Sequence, residues 1–389
     1  MFESLRKIPA MALGTAPISG YSRRRGYQYI WLGAGEGPGR PPILWRVLCR
    51  QSAGEGYRDS AGRLFEGRPL LLLSDCLLGD HPVSGQIRQD GYLTFDRQPN
   101  PGKASADPAS VWRDSDARRW CLKFIKSCLA PGEQEALLSV FKSDPAYRPW
   151  RDSYNPSLPP IPAAPDILQG DRAFFLSAEE AERQDYGFRR KRTYTAEQEW
   201  WTRSFEQVFI DSVEVSIVLT HFGGLLRSPS AMKFFARPAF SLNPSQVLFV
   251  SGPGGKTRTA PRGAVSLPPV PAMKRKNACW KLTLHDKNRD GFSLGKIRRL
   301  GDSLVVPYQN APVFNLKTAP NERISALVLD GRRRLTHYGN IALPLSSEGE
   351  ARLTLPEWEP GSRLFIFSEQ CNGPGRTDYA SPLNEAELV

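Results

Sequence analysis

The chain has 389 residues, which is too long for one ordinary domain and suits two or three. Hydrophobic residues make up 40% of it and charged residues 24%, which excludes wholesale disorder, and no apolar run approaches the roughly 20 residues of a membrane span. The net charge of +12 arises from scattered basic runs, which indicates solvated loops and makes nucleic acid an unfavoured partner.

Strand patterns dominate the beginning of the chain. Residues 27–32 and 43–48 alternate in polarity and predict two strands joined by a turn rich in Gly and Pro. The run 70–73 is continuously apolar and predicts a strand that is buried on both faces. Residues 1–19 are expected to be irregular and form a poor secretory signal.

Helix patterns follow in the middle of the chain. Apolar residues in 117–129 recur at a spacing of three and four, which predicts the strongest helix, ended by a Pro-Gly pair. A second helix is predicted over 133–141. Ser177 and Glu180 have the spacing of a capping box and predict a short third helix.

The second half is predicted to be mostly β. Residues 200–250 read as strands, and 252–277 form a linker rich in Gly, Pro, Lys and Arg. Later strands are predicted at 279–284, 303–308, 324–329, 335–343, 350–355 and 363–368. Their number and spacing suggest a sandwich of immunoglobulin-like size.

Two motifs resemble sites for phosphate or calcium. Residues 254–257 resemble the end of a phosphate loop, but Val250 stands where the loop needs Gly. Residues 286–291 resemble half of a calcium loop, but Ile297 replaces its closing Glu. A linker and a turn are the simpler interpretations.

A third motif pair suggests calcium-dependent sugar binding. Residues 98–100 read Gln-Pro-Asn and residues 112–114 read Trp-Arg-Asp, but Arg113 supplies no oxygen ligand. The chain has no CxxC motif, and its histidines are far apart in sequence: His81, His221, His285 and His337. We therefore expect no metal, no cofactor and no catalytic residue.

Seven motifs in one order resemble a known family. They are PILWRVL (42–48), LLLSD (71–75), RW (119–120), DRAFFLSAEEA (171–181), YGF (186–188), WWTRS (200–204) and ARPAFSLN (236–243). The set is similar to a domain-of-unknown-function family of gut Firmicutes surface proteins. That family has a C-type-lectin-like fold, of the branch shared with formylglycine-generating enzymes and the target proteins of diversity-generating retroelements.

The resemblance continues beyond the linker and sets the expected fold. Segments 280–284, 337–339, 367–370, 372–373 and 377–381 resemble the β-sandwich module that often follows such a domain. The expected class is therefore α+β: a C-type-lectin-like domain over 20–251 with a few short helices and twisted antiparallel strands. A linker over 252–277 and an all-β immunoglobulin-like sandwich over 278–389 complete it.

The resemblance also implies a function and a ligand surface. It implies a non-enzymatic recognition protein, secreted or at the cell surface, whose partner is an extracellular protein or a glycan. In this fold the ligand surface lies within 205–235, where the candidates are Phe205, Glu206, Phe209, Asp211, His221, Phe222 and Arg227. The motif residues expected to support the fold are Trp45, Arg46, Trp120, Trp200, Trp201, Arg203, Arg237 and Pro238.

Two rival functions remain from other classes. An oxidase or oxygenase of the formylglycine-generating type would need late cysteines or a histidine triad, yet 129–278 contain no Cys. A basic cytoplasmic nucleic-acid-binding protein would need aromatic residues interleaved with Lys and Arg, a pattern that is not evident.

Overall fold

The computed structural model describes residues 26–34, 41–54, 56–75, 93–100, 103, 107, 109–145, 165–186, 199–209, 212–219, 224–252, 263–270, 278–354 and 360–386. These residues fall into two compact units. The N-terminal unit contains Ser19–Tyr27 and Gly33–Asn243, and the C-terminal unit contains Gln28–Leu32 and Pro244–Val389. Strand β1 (Gln28–Ala34) has its first residues in the C-terminal unit.

The N-terminal unit is built from short strands in several sheets. They are β2 (Pro42–Arg50), β3 (Tyr57–Arg58), β4 (Leu70–Ser74), β5 (Leu93–Thr94), β6 (Ser139–Asp144), β7 (Asp166–Asp171), β8 (Phe174–Phe175), β9 (Trp200–Phe209), β10 (Ser212–Leu219), β11 (Gly224–Pro229), β12 (Lys233–Phe234) and β13 (Pro238–Leu242). The orders are β2-β4-β13-β8, β3-β6-β7, β11-β10-β9 and β12-β5.

Strand β4 lies at the centre of the core of this unit. It pairs with β2 on one side and β13 on the other, both antiparallel. Its four leucines, Leu70–Leu73, have no exposed surface. The prediction of a strand buried on both faces is therefore confirmed, because neighbouring strands and two covered faces leave β4 no solvent edge.

Four α-helices lie in the described residues: α1 (Ser110–Arg113), α2 (Asp116–Cys128), α3 (Pro131–Glu135) and α4 (Ala178–Glu182). The predicted long helix is confirmed as α2, whose first turn is capped by Ser115 accepting from the Arg118 amide. The capping box of Ser177 and Glu180 at α4 is also confirmed. None of these helices has the length and apolar character needed to cross a membrane.

The predicted fold class is wrong. Strands hold 48% of the described residues and helices 14%, so the described part of the chain is β-rich and not clearly the α+β, C-type-lectin-like class. The predicted helix over 133–141 shows one reason. Helix α3 ends at Glu135, and Ser139–Asp144 form β6, because that segment pairs with β3 and β7 and is stabilised by tertiary contacts.

The described part of the C-terminal unit is mostly strands, with two short 3-10 helices at Pro244–Gln246 and Lys287–Arg289. The strands are β14 (Val247–Ser251), β15 (Cys279–His285), β16 (Ser293–Leu294), β17 (Arg298–Leu300), β18 (Ser303–Gln309), β19 (Glu322–Leu329), β20 (Leu335–Ala342), β21 (Gly349–Thr354), β22 (Arg363–Gln370), β23 (Asp378–Ala380) and β24 (Asn384–Glu385). One sheet has the order β20-β19-β22-β23-β15-β1, and a second has β16-β18-β17 with β21 beside β18.

Strand β15 is the centre of the first of these sheets. It pairs in parallel with β1 and with β23, and antiparallel with β14. Apolar side chains of the two sheets meet in one buried cluster, in which Val306 of β18 lies with Ile366 of β22. The predicted immunoglobulin-like sandwich over 278–389 was part of the fold class that is wrong. The sheets of an immunoglobulin fold are antiparallel, whereas β15 pairs in parallel with both β1 and β23.

The sequence-based domain bounds of 20–251, 252–277 and 278–389 remain a prediction. Strand β14 belongs to the C-terminal unit, because it pairs with β15. Within the predicted linker, residues 253–262 and 271–277 lie outside the described residues. Residues 263–270 are described, and Val265 and Leu267 are buried in the core of the C-terminal unit.

Candidate functional site

The predicted ligand residues lie on or beside the three-stranded sheet β9-β10-β11. Phe205 is half-buried in β9 opposite Val215, next to two irregularities in the strand register. Phe209 pairs with Ser212, and Arg227 pairs with Ser216. Glu206 lies on β9, while Asp211, His221 and Phe222 lie outside the described residues. Their joint role in binding remains a prediction.

The aromatic motif residues are inside the N-terminal unit. Trp45 has no exposed surface and meets Phe240 edge-on, with ring centroids 4.3 Å apart. Trp120 stacks on Phe124 at 5.3 Å. Trp200 and Trp201 are fully buried, and the Trp201 indole donates to the Leu93 carbonyl at 2.7 Å.

The other motif residues fix backbone segments by hydrogen bonds. Arg46 donates from Nη2 to Asp75 Oδ1 at 2.5 Å. Arg237 donates from Nε to the Ser74 carbonyl at 2.9 Å. Pro238 begins β13 and pairs with Phe175. These arginines tie together strands that are far apart in sequence.

Arg203 is the centre of a buried charge cluster. It donates from Nη1 to Glu180 Oε2 at 2.8 Å and to the Phe175 carbonyl at 2.6 Å, and it also pairs with Asp144. Lys142 Nζ contacts both Glu180 and Asp144 at 2.7 Å. The cluster therefore links β6, α4 and β9 through charges of which Arg203, Asp144 and Glu180 are buried and Lys142 is partly exposed.

Asp166 is the third carboxyl group of the Arg203 cluster, beside Asp144 and Glu180, while the two cations of the cluster are Arg203 and Lys142. The Ser204 hydroxyl donates to Asp166, which is only 5% exposed. Burial raises the pKa of Asp166 to about 7. Burial also acts to raise the pKa of Glu180, but Arg203 and Lys142 outweigh it and hold that pKa at about 2. Asp166 is therefore the member that carries the proton below neutral pH.

We expect Asp166→Asn to remove a pH dependence of stability. Because the folded-state pKa lies above the unfolded value near 4, this carboxyl stabilises the fold fully below pH 4, and the contribution is lost as pH rises to about 7. Between pH 5 and pH 8 the free energy of unfolding of the wild type should fall relative to the variant by about 2–3 kcal/mol. Urea unfolding at both pH values measures this, and a difference that does not change with pH would contradict it.

An open cleft lies at the surface of the N-terminal unit beside α1 and α2. Its volume is about 420 Å³, which falls in the usual range for small-ligand sites. It is lined by Phe95, Asp96, Arg97, Gln98, Pro99, Asn100, Lys103, Ser110, Val111, Asp114, Asp116 and Arg119. Phe95, Ser110 and Val111 are buried and form the floor, while the exposed Gln98 and Asn100 lie at the rim.

Ion pairs and hydrogen bonds fix the charged groups of the cleft. Lys103 Nζ lies 2.6 Å from Asp114 Oδ2, which lowers the pKa of that carboxyl. Arg119 contacts Asp116 at 2.7 Å, and the same carboxyl accepts from the Arg97 amide at 2.9 Å. Asp96 differs from these, because burial raises its pKa. The cleft is thus a fixed arrangement in which Asp96 is the least stabilised carboxylate.

The Gln-Pro-Asn motif (98–100) and the Trp-Arg-Asp motif (112–114) both contribute residues to this cleft. Gln98, Asn100 and Asp114 all line it. The Asp114 oxygens, however, face the cations Lys103 and Arg113, at 2.6 and 3.3 Å. A cation ligand set needs free oxygens, so these contacts favour direct hydrogen bonding to a ligand over calcium coordination.

A second buried cluster lies in the C-terminal unit. Among the described residues, Glu369, Cys371 and Asp378 bring three groups that could bind a metal within 4.8 Å of one another. Hydrogen-bond donors already occupy these groups. Glu369 accepts from Ser325 and Tyr338, each at 2.6 Å.

The remaining members of that cluster are also paired. Lys281 Nζ lies 2.6 Å from Asp378 Oδ2, and the Asn340 amide lies 3.2 Å from Cys371 Sγ. Burial raises the pKa of Cys371 above its ordinary value, which keeps the thiol protonated. An ammonium group at the carboxylate and a neutral thiol fit a metal poorly.

Two described cysteines of the N-terminal unit, Cys49 and Cys121, are also held as thiols. Burial raises the pKa of Cys49, which lies 3.4 Å from the Tyr186 hydroxyl, and that of Cys121 inside α2. Arg183 and Arg118 act to lower these two pKa values, but burial outweighs them and disfavours the thiolate, which is the reactive form.

Neither a family model nor a curated protein nor a solved structure matches the chain. The resemblance of the seven ordered motifs to a surface-protein family therefore remains a prediction.

The sequence analysis did not predict the cleft as a site, nor the buried cluster of Lys281, Glu369, Cys371 and Asp378, called the Lys281 cluster below. The only sequence signal for the cleft was the incomplete calcium motif at 98–100 and 112–114. Nothing in the sequence indicates that these two segments lie at one surface. The Lys281 cluster had a signal, because Lys281 lies inside the apolar strand run WKLTL and Glu369 directly follows the run FIFS. A charged residue within a fully buried strand needs a partner of opposite charge, but the sequence does not say which one. The structure identifies it as Asp378.

Proposed function

We propose that the chain is a non-enzymatic binding protein and that the cleft of its N-terminal unit binds a glycan. The observation that carries the proposal is the concave surface of about 420 Å³ in which carboxylates, amides and guanidinium groups surround a buried phenylalanine. A binding site of this kind combines an apolar floor with a few fixed polar groups.

The mixture of donors and acceptors favours a polyhydroxylated ligand. Each sugar hydroxyl both donates and accepts a hydrogen bond. Asp96 offers acceptor oxygens, and Gln98 and Asn100 each offer an amide with both functions. The ion pairs that fix Asp114 and Asp116 hold the walls in position before the ligand arrives, which lowers the ordering cost of binding.

The balance of charge in the cleft favours a neutral ligand over nucleic acid. Three carboxylates, Asp96, Asp114 and Asp116, are set against three cations, Arg97, Lys103 and Arg119. Nucleic-acid sites depend on an excess of Lys and Arg along the phosphate backbone. The net charge of +12 therefore lends no support to phosphate binding at this cleft.

A glycan array and calorimetric titration of the best binder test the proposal. Asp96→Asn keeps the oxygen that accepts from the Gln98 amide but removes the charge, and Gln98→Ala removes the side-chain amide. We expect Asp96→Asn to weaken binding by about tenfold, since a hydrogen bond to a charged group is worth about 1.5 kcal/mol. Gln98→Ala should weaken it by about fivefold, since a hydrogen bond to a neutral group is worth about 1 kcal/mol.

Gln184→Ala is the matched control, because Gln184 is an exposed glutamine of the same unit and does not line the cleft. It should bind as the wild type does. Equal binding by all variants would exclude the cleft, and the absence of any glycan ligand on the array would reject the proposed ligand class.

A further inference from the structure

A buried lysine and a buried aspartate face each other across parallel strands of the C-terminal unit. Lys281 lies on β15 and Asp378 on β23, and the register pairs Thr283 with Asp378. Side chains two residues apart share one face of a strand, so Lys281 reaches Asp378 diagonally. The two polar ends are 2.6 Å apart, and the side chains are only 3% and 2% exposed.

A second carboxyl group lies beside this pair. Glu369 is on β22, the strand next to β23, and it has no exposed surface. Its carboxylate lies within 4.8 Å of the Asp378 carboxylate, so a second acid lies beside the ion pair. Ser325 and Tyr338 hold both Glu369 oxygens in place.

We propose that Lys281 and Asp378 condense to an intramolecular amide bond, with the neighbouring Glu369 promoting the proton transfer between them. The Nζ of Lys281 forms a bond to Cγ of Asp378, and one carboxyl oxygen of Asp378 leaves as water. An ammonium and a carboxylate give an amide and one water molecule, so the step balances without an oxidant, a reductant or a cofactor.

The surroundings of the pair favour each part of this step. Attack requires a neutral amine and a carboxyl group that has lost its negative charge. Transfer of one proton from Lys281 to Asp378 produces both, and burial, followed by the nearby Glu369, raises the pKa of Asp378 to about 7. The lysine proton passes directly to Asp378 across the 2.6 Å contact, and the charge of Glu369 favours the protonated Asp378 carboxyl. The second amine proton then moves to the Asp378 hydroxyl, which leaves as water.

Burial also favours the product over the reactants. An ion pair in a core is opposed by the loss of hydration of both charges, and an amide removes both charges at once. The neighbouring strands already hold the reacting groups together, which replaces a bimolecular encounter with a local one. The bond would join β15 to β23 and close a loop of about 100 residues.

Intact-mass spectrometry of the purified full chain under denaturing, reducing conditions tests the proposal. We expect the wild type to be about 18 Da below its sequence mass, the mass of one water lost per amide formed. Tryptic mapping should yield one branched peptide that joins Lys281 to Asp378, with no cleavage after Lys281. A wild type at full mass, or an 18 Da loss mapped to another position, would overturn the proposal.

Variants separate the roles of the three residues. Lys281→Arg and Asp378→Ala should retain their full calculated masses, and Glu369→Gln should do so or lose water far more slowly. Asp378→Asn should still react, but with the loss of ammonia, about 17 Da. Lys296→Arg, at an exposed lysine of the same unit, should keep the wild-type loss of 18 Da.

The asparagine variant keeps the test decisive if the other substitutions prevent folding. An Asp378→Asn protein with the branched peptide supports amide formation, and a folded Asp378→Asn protein at full mass contradicts it. A Glu369→Gln variant that condenses as fast as the wild type would overturn the promoting role assigned to Glu369.

Discussion

Replacing Arg203 with Met is expected to destabilise the N-terminal unit by about 3–5 kcal/mol. Arg203 is 1% exposed and contacts Asp144 and Glu180, and its loss leaves Lys142 as the remaining cation beside them. Breaking a buried ion pair from one side leaves a carboxylate without compensation in a medium that solvates it poorly. Urea unfolding followed by tryptophan fluorescence measures the loss.

The matched control is Arg63→Met in the same unit. Arg63 pairs with Asp59 at 2.8 Å, but its side chain is 79% exposed, so water replaces the lost contact. Exposed pairs contribute at most about 1 kcal/mol. Equal effects of the two substitutions would contradict the view that Arg203 and its two carboxylate partners are removed from water.

Replacing Trp45 with Ala should cost about 3–5 kcal/mol of unfolding free energy. The indole has no exposed surface and lies against Phe240 and Phe124, whose ring centroids are 4.3 and 6.0 Å away. Its removal leaves a cavity between β2, β13 and α2 that the surrounding rings fill only in part.

Two further variants check that the effect arises from packing. Trp45→Phe keeps one aromatic ring and should lose clearly less stability than Trp45→Ala. Leu122→Ala removes a large apolar residue from α2 that is 42% exposed and should change stability by less than about 1 kcal/mol. A Trp45→Ala variant as stable as Leu122→Ala would contradict the assignment of Trp45 to the core.

Local patterns in the sequence predicted local structure well. The spacing of apolar residues found α2, the Ser177 and Glu180 pair found the start of α4, and the continuous leucines found β4. Each of these signals depends on neighbours within a few residues. The burial of a strand on both faces also leaves a local mark, because every side chain must then be apolar.

Structure that depends on contacts between distant segments was predicted less well from the sequence. Leu137, Leu138 and Phe141 fit a helix, yet Ser139–Asp144 form β6 because β3 and β7 supply its hydrogen bonds. The fold class failed for the same reason, since which strands pair is decided by segments hundreds of residues apart. Parallel pairing of β15 with both β1 and β23 has no signal in any one segment.

The same limit applies to the site residues: the sequence can indicate an unusual residue but not its partner in the fold. Arg203 and Arg237 could be recognised as unusual charges within strand motifs, but their partners Asp144 and Ser74 lie far away in sequence. The cleft needs the loop after β5 to meet α1 and α2, and a single sequence does not place them together. A lysine inside a buried strand was the one sign of the Lys281 and Asp378 pair.

Hydrogen–deuterium exchange with and without the array-selected glycan tests the central claim, that the cleft of the N-terminal unit is the binding site. We predict slower exchange on binding for amides in residues 95–100 and 110–119, the segments that contribute most of the cleft lining. At a ligand concentration near the wild-type Kd, the Gln98→Ala protein should show clearly less protection of the same amides. Protection confined to the sheet β9-β10-β11, with the cleft amides unchanged, would contradict the account and place recognition on Phe205 and its neighbours instead.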